Sequence, residues 1–356
     1  GWQRRNPPRS LYGDAEVRRL MPHEPKKTNL SSVFRWLLPV VITAAAIYFL
    51  SQQVDFNEVG AAFRRVEATT ILSVAGLFLL SLVLRVICWF FLLEGKFTFW
   101  EAFFGINAGY LLNNVLPFKL GEFGRAALLA GKGKTKAGFM EVLASIITER
   151  TLDFFLAATY FLLMLPRVVS ARSMQTLASI VLGLTVLLFI VAGLAARNLK
   201  NINAKLQTRW ADKPRLLRWL PRINGFLAGF QILLDPIRFL YALLLLAASW
   251  MCSMGSVVVL QRAFLPASQD WWSVFIVAGG SFANALPAAP ANLGVYEAAH
   301  VALYSLLGVD QSSALAIALI SHAVQFIGTS LLGMVGIYVL GESFGSLASK
   351  ATHWRK

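Results

Sequence analysis

Two related stretches decide the fold, NVLPFKLGE at residues 114–122 and NALPAAPANLGVYE at residues 284–297. Both read Asn-x-Leu-Pro, followed by a glycine and then a glutamate. Each proline lacks an N–H group and disfavours helix at the residue before it, and each glycine permits backbone conformations that other residues resist. Because both stretches lie inside apolar segments, the pattern predicts a helix break at two places within one larger apolar fold.

The sequence around these stretches is too apolar for a single soluble core. Hydrophobic residues make up 57% of the 356 residues, and charged residues only 14%. A helix crosses about 30 Å of hydrocarbon with roughly 20 apolar residues. Four longer intervals contain no charged residue, namely 173–196, 239–261, 271–296 and 311–341. The composition therefore predicts an all-α integral membrane protein.

The apolar pattern predicts about six full spans and two broken hairpins within one membrane domain at residues 35–345. The spans are expected at about 35–53, 69–93, 138–165, 173–196, 237–262 and 311–340. The broken stretches are expected at about 99–130 and 271–309. Two repeats, about 69–165 and 237–340, are joined by a basic linker at about 197–236 and flanked by a polar arm, 1–34, and a tail, 346–356.

Lysine and arginine residues set the predicted orientation, because cytoplasmic loops of membrane proteins carry an excess of both. Residues 1–35 contain eight of them against three acids, and residues 197–222 contain eight against one acid. We expect these segments, the basic stretch 119–136 and both termini to be cytoplasmic. Each broken stretch must then enter and leave on one side, the first from the cytoplasm and the second from outside. This inverted-topology repeat with two re-entrant hairpins is typical of secondary transporters.

The net charge of +15 does not indicate nucleic-acid binding, because the basic residues lie between apolar segments and not on a polar domain. No spacing of His, Cys and carboxylate residues suits a metal ion. We therefore expect no nucleic-acid partner, no metal and no cofactor.

Ionisable residues inside spanning segments cost a few kcal/mol each, so they usually pair or line a cavity. Glu149, Arg150 and Asp153 lie within one helical turn. Arg150 is a candidate for a bidentate contact with a lipid phosphate, with the two acids orienting it or binding a cationic head group; the alternative is a structural ion pair. Arg85 is expected to extend to the cytoplasmic interface, and His300 is isolated in sequence, so neither is assigned a role.

Polar residues around the first break are candidates for binding an anionic head group from the cytoplasmic leaflet. They are Asn114, Lys119, Glu122 and Arg125. An interfacial salt bridge is the alternative, since the positive-inside bias alone places Lys and Arg here.

The second break has its own candidates, Asn284, Tyr296 and Glu297. Glu297 is the expected outer counterpart of Glu122, or else an acid favoured at a helix N-terminus by the macrodipole. His322, in the last span, is a candidate proton relay or a hydrogen-bonded packing residue.

The chain resembles the flippase-like membrane domains at the N-terminal end of bacterial lysylphosphatidylglycerol synthases and their free-standing relatives. The resemblance covers about residues 35–340 and rests on NNVLPFKLGEFGR at 113–125, ERTLD at 149–153 and LPAAPANLGVYE at 286–297. It implies movement of an aminoacylated phospholipid, a glycolipid or a polyprenyl-linked lipid across a bacterial plasma membrane.

A lipid transporter that is not an enzyme is therefore the expected function, because only about 15 residues follow the last span and leave no room for a soluble synthase domain. Expected partners are membrane lipids with charged head groups and a separate lipid synthase. The sequence does not determine the oligomeric state. Two alternatives remain. One is a membrane-embedded lipid-modifying transferase that uses Glu122 or Asp153 as a base. The other is a non-catalytic membrane partner that anchors a synthase.

Overall fold

The computed structural model describes most of the chain from residue 66 to residue 341. The described residues are a few isolated positions between 41 and 64 and the ranges 66–116, 120–134, 136–168, 172–213, 216, 219–228, 230, 234–284, 286 and 289–341. They belong to one unit, Leu38–Lys356. The predicted arm, the tail and most of the first predicted span lie outside them.

The described part of the chain contains helices and no strand, as the composition predicts. In chain order the helices are α1 (Ala68–Leu92), α2 (Phe99–Val115), α3 (Gly121–Leu129), α4 (Phe139–Val168), α5 (Arg172–Arg197), α6 (Leu199–Arg209), α7 (Leu220–Ala228), α8 (Pro236–Phe264), α9 (Trp271–Ala283), α10 (Val295–Ser305) and α11 (Gln311–Val339), with a 3-10 turn at Pro290–Asn292 before α10.

Four of these helices, α1, α4, α8 and α11, are long and apolar enough to cross a membrane. Their ends lie within three residues of the predicted bounds. Segments of α5 and α6, bent by 73° at the break between them, together form a fifth candidate.

Local capping explains where several helices begin. Thr98 and Glu101 form a capping box at the start of α2, with the Glu101 carboxylate accepting from the Thr98 N–H at 2.7 Å. Asp235 caps α8 directly before Pro236, and Asp310 caps α11. Short polar side chains and an early proline are favoured at these positions because the first N–H groups of a helix have no intrahelical partner.

Both broken stretches fold back on themselves as pairs of antiparallel helices. In the first, α3 returns along α2, so the side chain of Leu129 covers the backbone of Gly105. In the second, α10 returns along α9, so the ring of His300 covers the backbone of Gly280. The prolines of the two Asn-x-Leu-Pro motifs lie outside the described residues. We call the two pairs the first hairpin (α2 and α3) and the second hairpin (α9 and α10).

Packing joins the two halves of the chain in a reciprocal way. Helix α1 packs on α8, α2 of the first hairpin packs on α11, and α9 of the second hairpin packs on α4. Glycines permit the close approach of α11 to α2, since a Cβ added at Gly336 would lie 2.6 Å from the carbonyl oxygen of Phe104. Each hairpin thus lies against a long helix of the other half, and residues that follow the two breaks face a common space.

Candidate functional site

A cavity of about 350 Å³ lies where the two hairpins meet. Its volume is near the lower limit of small-molecule sites in proteins. Apolar residues of α1, α8, α9 and α11 form part of its wall, including Val74, Phe78, Val257, Val277 and Phe326. Both broken stretches contribute polar side chains to it, namely Asn113, Asn114, Glu122, Asn284, Asn292 and Tyr296.

Three guanidinium groups and three carboxyl groups form a cluster beside this cavity. The members come from α1, α3 and α4: Arg85, Arg125, Arg150, Glu122, Glu149 and Asp153. Three positive and three negative formal charges cancel, which offsets the cost of placing any of them in an apolar fold. We call these six residues the ion cluster.

The most deeply placed pair of the ion cluster joins α3 to α4. Arg125 Nη1 lies 2.9 Å from Glu149 Oε2, and the two side chains are only 3% and 0% exposed. The Arg125 guanidinium carbon also lies 3.3 Å from the ring centroid of Trp89, a cation–π contact. Neither Arg125 nor Glu149 lines the cavity. Both predicted site residues therefore lie outside the cavity lining.

Arg150 is the cluster arginine that is most open to the cavity. Its side chain is 31% exposed, against 16% for Arg85. Its shortest carboxylate contact is 3.2 Å, to Asp153, and its contacts with Glu149 and Glu122 are longer, at 3.6 Å and 3.9 Å. By contrast Arg85 donates to Asp153 at 2.6 Å. The Arg150 guanidinium consequently retains capacity for another acceptor, such as a phosphate oxygen.

Arg85 does not extend to the interface as the sequence analysis expected. It lies seven residues before the end of α1 and turns towards Asp153 and Glu149 of α4. A buried guanidinium is stabilised by paired carboxylates, and here the two acids are available across the α1–α4 contact. Only the packing of separate helices reveals that contact, which is why a single-helix interpretation missed it.

A second polar centre lies on the α10–α11 side of the cavity. Glu297 accepts a hydrogen bond from the Gly294 N–H at 2.7 Å through Oε2, while its Oε1 atom lies 2.6 Å from His322 Nδ1. His322 Nε2 lies 2.9 Å from the carbonyl oxygen of Ala291. His322 lines the cavity and Glu297 lies directly behind it. The structure therefore joins two sequence candidates that are 25 positions apart.

Aromatic and amide side chains complete this side of the cavity. The Tyr296 hydroxyl donates to Ser321 Oγ at 3.2 Å. His300, to which the sequence analysis assigned no role, stacks on Tyr296 with ring centroids 4.0 Å apart and lines the cavity. The amide of Asn292 donates to Asn284 Oδ1 at 2.8 Å, closing the polar edge of the break.

Two sequence candidates remain, Asn114 and Lys119. Asn114 lines the cavity and donates to Thr329 and Ser330 of α11, both at 2.9 Å. Lys119 lies outside the described residues.

Trp250 and Asn113 are cavity residues that the sequence analysis did not propose as site residues. The Trp250 indole donates to Asp153 Oδ1 at 3.0 Å. Asn113 holds Gly121 and Glu122 in place, accepting from the first at 2.7 Å and donating to the second at 3.3 Å. Asn113 could have been predicted as a site residue because it directly precedes the Asn-x-Leu-Pro motif. No sequence feature distinguishes Trp250 from the other tryptophans.

No group of three or more His, Cys, Asp or Glu side chains in the described ranges is arranged to hold a metal ion. The acids of the ion cluster instead face arginines. What the site offers chemically is a polar chamber with one partly free guanidinium, one carboxyl–imidazole pair and several amides and hydroxyls, between apolar walls.

Comparisons with known proteins agree with this architecture. The chain is 23% identical over 235 residues to the UPF0104 membrane protein MJ1078 of Methanocaldococcus jannaschii, an alignment that covers 64% of this chain and 94% of the relative. No solved structure matches. Residues 36–333 match the family described as the lysylphosphatidylglycerol synthase TM region. This match covers most of the chain and includes all three motifs on which the resemblance rests, so the chain belongs to the lysylphosphatidylglycerol synthase transmembrane-region family.

Proposed function

We propose that this membrane protein is a lipid flippase that moves a lipid with a phosphate-bearing, charged or glycosylated head group across the plasma membrane. The observation that carries the proposal is the Arg150 guanidinium, which is partly exposed, makes no carboxylate contact shorter than 3.2 Å and lines a cavity that both broken hairpins also line. The family, a membrane-protein family tied to lipid handling, supports the substrate class.

The main energetic barrier to lipid movement is the transfer of the head group through the hydrocarbon, because a charged group loses its hydration there. The acyl chains remain in hydrocarbon throughout and add little to this barrier. The cavity lowers that barrier by offering Arg150, amides and hydroxyls to the head group. Its apolar wall, which includes Phe78 and Phe326, suits the adjoining glycerol and upper acyl chain. In this mechanism the phosphate binds Arg150 by two N–H donors, and Glu122 releases its 3.9 Å contact with that guanidinium.

An inverted-topology repeat is part of the proposal, and reciprocal packing supports it. If α1 to α4 and α8 to α11 are equivalent units, α2 corresponds to α9 and α4 to α11. The contact of α2 with α11 then has the contact of α9 with α4 as its counterpart, and α1 meets its own counterpart α8. Such units can rock against each other and expose the cavity to alternate sides. A non-enzymatic role and supply of the lipid by a separate synthase complete the proposal.

The test is to replace Arg150 with alanine and measure translocation of a fluorescent phosphatidylglycerol in proteoliposomes, using dithionite to bleach the outer leaflet. We expect a loss of at least tenfold in rate, since truncating a charged hydrogen-bonding partner typically costs more than about 1.5 kcal/mol. The fold should survive, because Arg125 and Arg85 still contact Glu149, and Arg85 and Trp250 still contact Asp153.

Two matched variants make this result specific. Arg167→Ala removes an exposed arginine near the end of the same helix, away from the cavity, and should move lipid at the wild-type rate. Arg150→Lys keeps the charge without the planar fork and should be intermediate. Normal transport by well-folded Arg150→Ala protein would refute the site. Chemical conversion of the lipid by purified protein and an activated donor would instead support the transferase alternative.

A further inference from the structure

We infer that the Glu297–His322 pair is a proton-binding site that couples lipid movement to the proton gradient. When one proton lies between the two side chains, the pair holds the turn Pro290–Asn292 of the second hairpin against α11. This inference rests on the proposed function and adds an energy source to it.

The hydrogen-bond partners of His322 require that proton. Its Nε2 atom faces the carbonyl oxygen of Ala291 at 2.9 Å, and a carbonyl oxygen only accepts, so Nε2 carries a hydrogen. Its Nδ1 atom faces Glu297 Oε1 at 2.6 Å. A neutral imidazole with hydrogen on Nε2 has a lone pair on Nδ1, and an ionised carboxylate has no hydrogen to donate. The contact therefore needs one more proton, on Nδ1 or on the Glu297 carboxyl.

The same contacts hold a backbone segment in an uncommon conformation. Ala291 and Asn292 have φ values of 57° and 55°. These values lie in the left-handed region, which residues other than glycine adopt infrequently. Such conformations persist only where surrounding contacts hold them. His322 holds the carbonyl of Ala291, and Asn284 accepts from the Asn292 amide at 2.8 Å.

Loss of the proton would therefore release the segment. A neutral imidazole has one N–H group and cannot donate to both partners. With that hydrogen on Nδ1, His322 keeps the carboxylate of Glu297, and its Nε2 lone pair then faces the carbonyl oxygen of Ala291, so the hydrogen bond to Ala291 is lost. The strained turn can then relax and move the second hairpin relative to α11. The proton comes from water in the cavity and returns to it, so no other reactant is needed. His322 lines the cavity, which gives the proton its path.

Other ionisable groups near the pair do not replace it. On α10, the His300 ring lies against Tyr296, and its Nδ1 atom has a backbone carbonyl, that of Tyr296, as its partner at 2.8 Å. The Tyr296 hydroxyl donates a hydrogen bond to Ser321 and accepts one from the Gln325 amide, both on α11. The other titratable groups that line the cavity belong to α1, α2, α3 and α4: Arg85, Tyr110, Glu122 and Arg150. Glu122, the one acid among these four, contacts the Arg150 guanidinium, whereas Glu297 contacts an imidazole.

The experiment imposes a pH gradient on phosphatidylcholine vesicles that contain the protein and a trace of fluorescent phosphatidylglycerol, with the membrane potential clamped by valinomycin and equal potassium. The distribution of the probe between leaflets is read with dithionite. If one proton moves per lipid, a gradient of one pH unit drives up to about a tenfold difference between leaflets. We expect a several-fold shift that reverses when the gradient is reversed. Mixed protein orientation does not cancel it, because coupling is thermodynamic.

Isosteric variants assign the effect to the pair. His322→Gln and Glu297→Gln each remove the shared proton while keeping side-chain volume, and both should leave the probe distribution the same with and without the gradient. Asp270→Asn removes an exposed titratable group at the start of the second hairpin, outside the cavity lining, and should keep the gradient response. Retention of the response in either pair variant, or its equal loss in Asp270→Asn, would overturn the inference.

The outcome for the wild-type protein separates the two proposals. A wild-type protein that equilibrates the probe but ignores the gradient refutes proton coupling and leaves the flippase standing. A wild-type protein that moves no probe under either condition refutes both.

Discussion

Replacing Glu149 with alanine is expected to lower the free energy of unfolding by about 3–5 kcal/mol, because it leaves a buried charge without its partner. The Arg125 guanidinium is 3% exposed and has its carboxylate contact with Glu149, at 2.9 Å. Glu149 also lies 3.4 Å from Arg85 and 3.6 Å from Arg150, so one substitution weakens three ion pairs. The measurement is detergent-solubilised protein unfolded by heat or by SDS, followed by tryptophan fluorescence.

A double variant distinguishes an unpaired charge from simple loss of packing. Replacing both Glu149 and Arg125 with leucine removes the buried pair together, and such exchanges are often close to neutral. We therefore expect the double variant to be more stable than Glu149→Ala alone. Arg262→Ala is the matched control, since its pair with Asp270 is 67% and 62% exposed and should cost no more than about 1 kcal/mol. A double variant less stable than the single one would show that the pair itself stabilises the fold.

Local chemistry made the helices and the breaks predictable from sequence. The Pro and Gly residues of the two motifs predict where helices stop, and the structure ends α2 at Val115 and α9 at Ala283, next to the motif asparagines. The lengths of the apolar intervals predict the four long helices, and Asp235 and Asp310 cap two of them at their predicted starts. These properties depend on neighbours in the chain and need no knowledge of packing.

Contacts between helices could not be predicted in the same way. Glu149, Arg150 and Asp153 share one helical turn in the sequence, but no local pattern pairs Glu149 with Arg125, which lies 24 positions earlier. For the same reason the sequence predicts Arg85 at the interface. Helical periodicity reports which residues share a face, whereas the partner of that face is decided by how whole helices pack. The ion cluster depends on α1, α3 and α4 meeting, and no local pattern encodes that.

The two breaks have similar sequences but different chemistry around their glutamates. Glu122 contacts the Asn113 amide and the Arg150 guanidinium, both of which keep their protonation state. Glu297 instead contacts His322, whose imidazole can bind or release a proton. Three positions after each motif glutamate, the first break has Arg125 and the second has His300. By sequence alone the two glutamates are counterparts. In the proposed mechanism their roles differ, since the first half of the chain binds the phosphate and the second half binds the proton.

Gly121→Ala is expected to destabilise the protein by about 1–3 kcal/mol or more, because the added methyl group has no space. A Cβ at Gly121 would lie 2.1 Å from the carbonyl oxygen of Gly109 and 2.5 Å from Asn113 Oδ1. The first contact is with backbone, so α3 must move away from α2. That movement would also break the 2.7 Å bond from the Gly121 N–H to Asn113 and shift Glu122 in the cavity wall. Lipid translocation should therefore fall together with stability.

Gly76→Ala is a control for which the expected change in stability has the opposite sign. Gly76 lies within α1, and a Cβ there would meet no atom within 4 Å. Alanine in a helix interior is favoured over glycine by roughly 0.5–1 kcal/mol, so this variant should be slightly more stable than the wild type. Both variants add one methyl group, and only the surroundings differ. Equal stability of the two would mean that α3 does not fold back against α2, and the cavity would then lack the wall that carries Glu122.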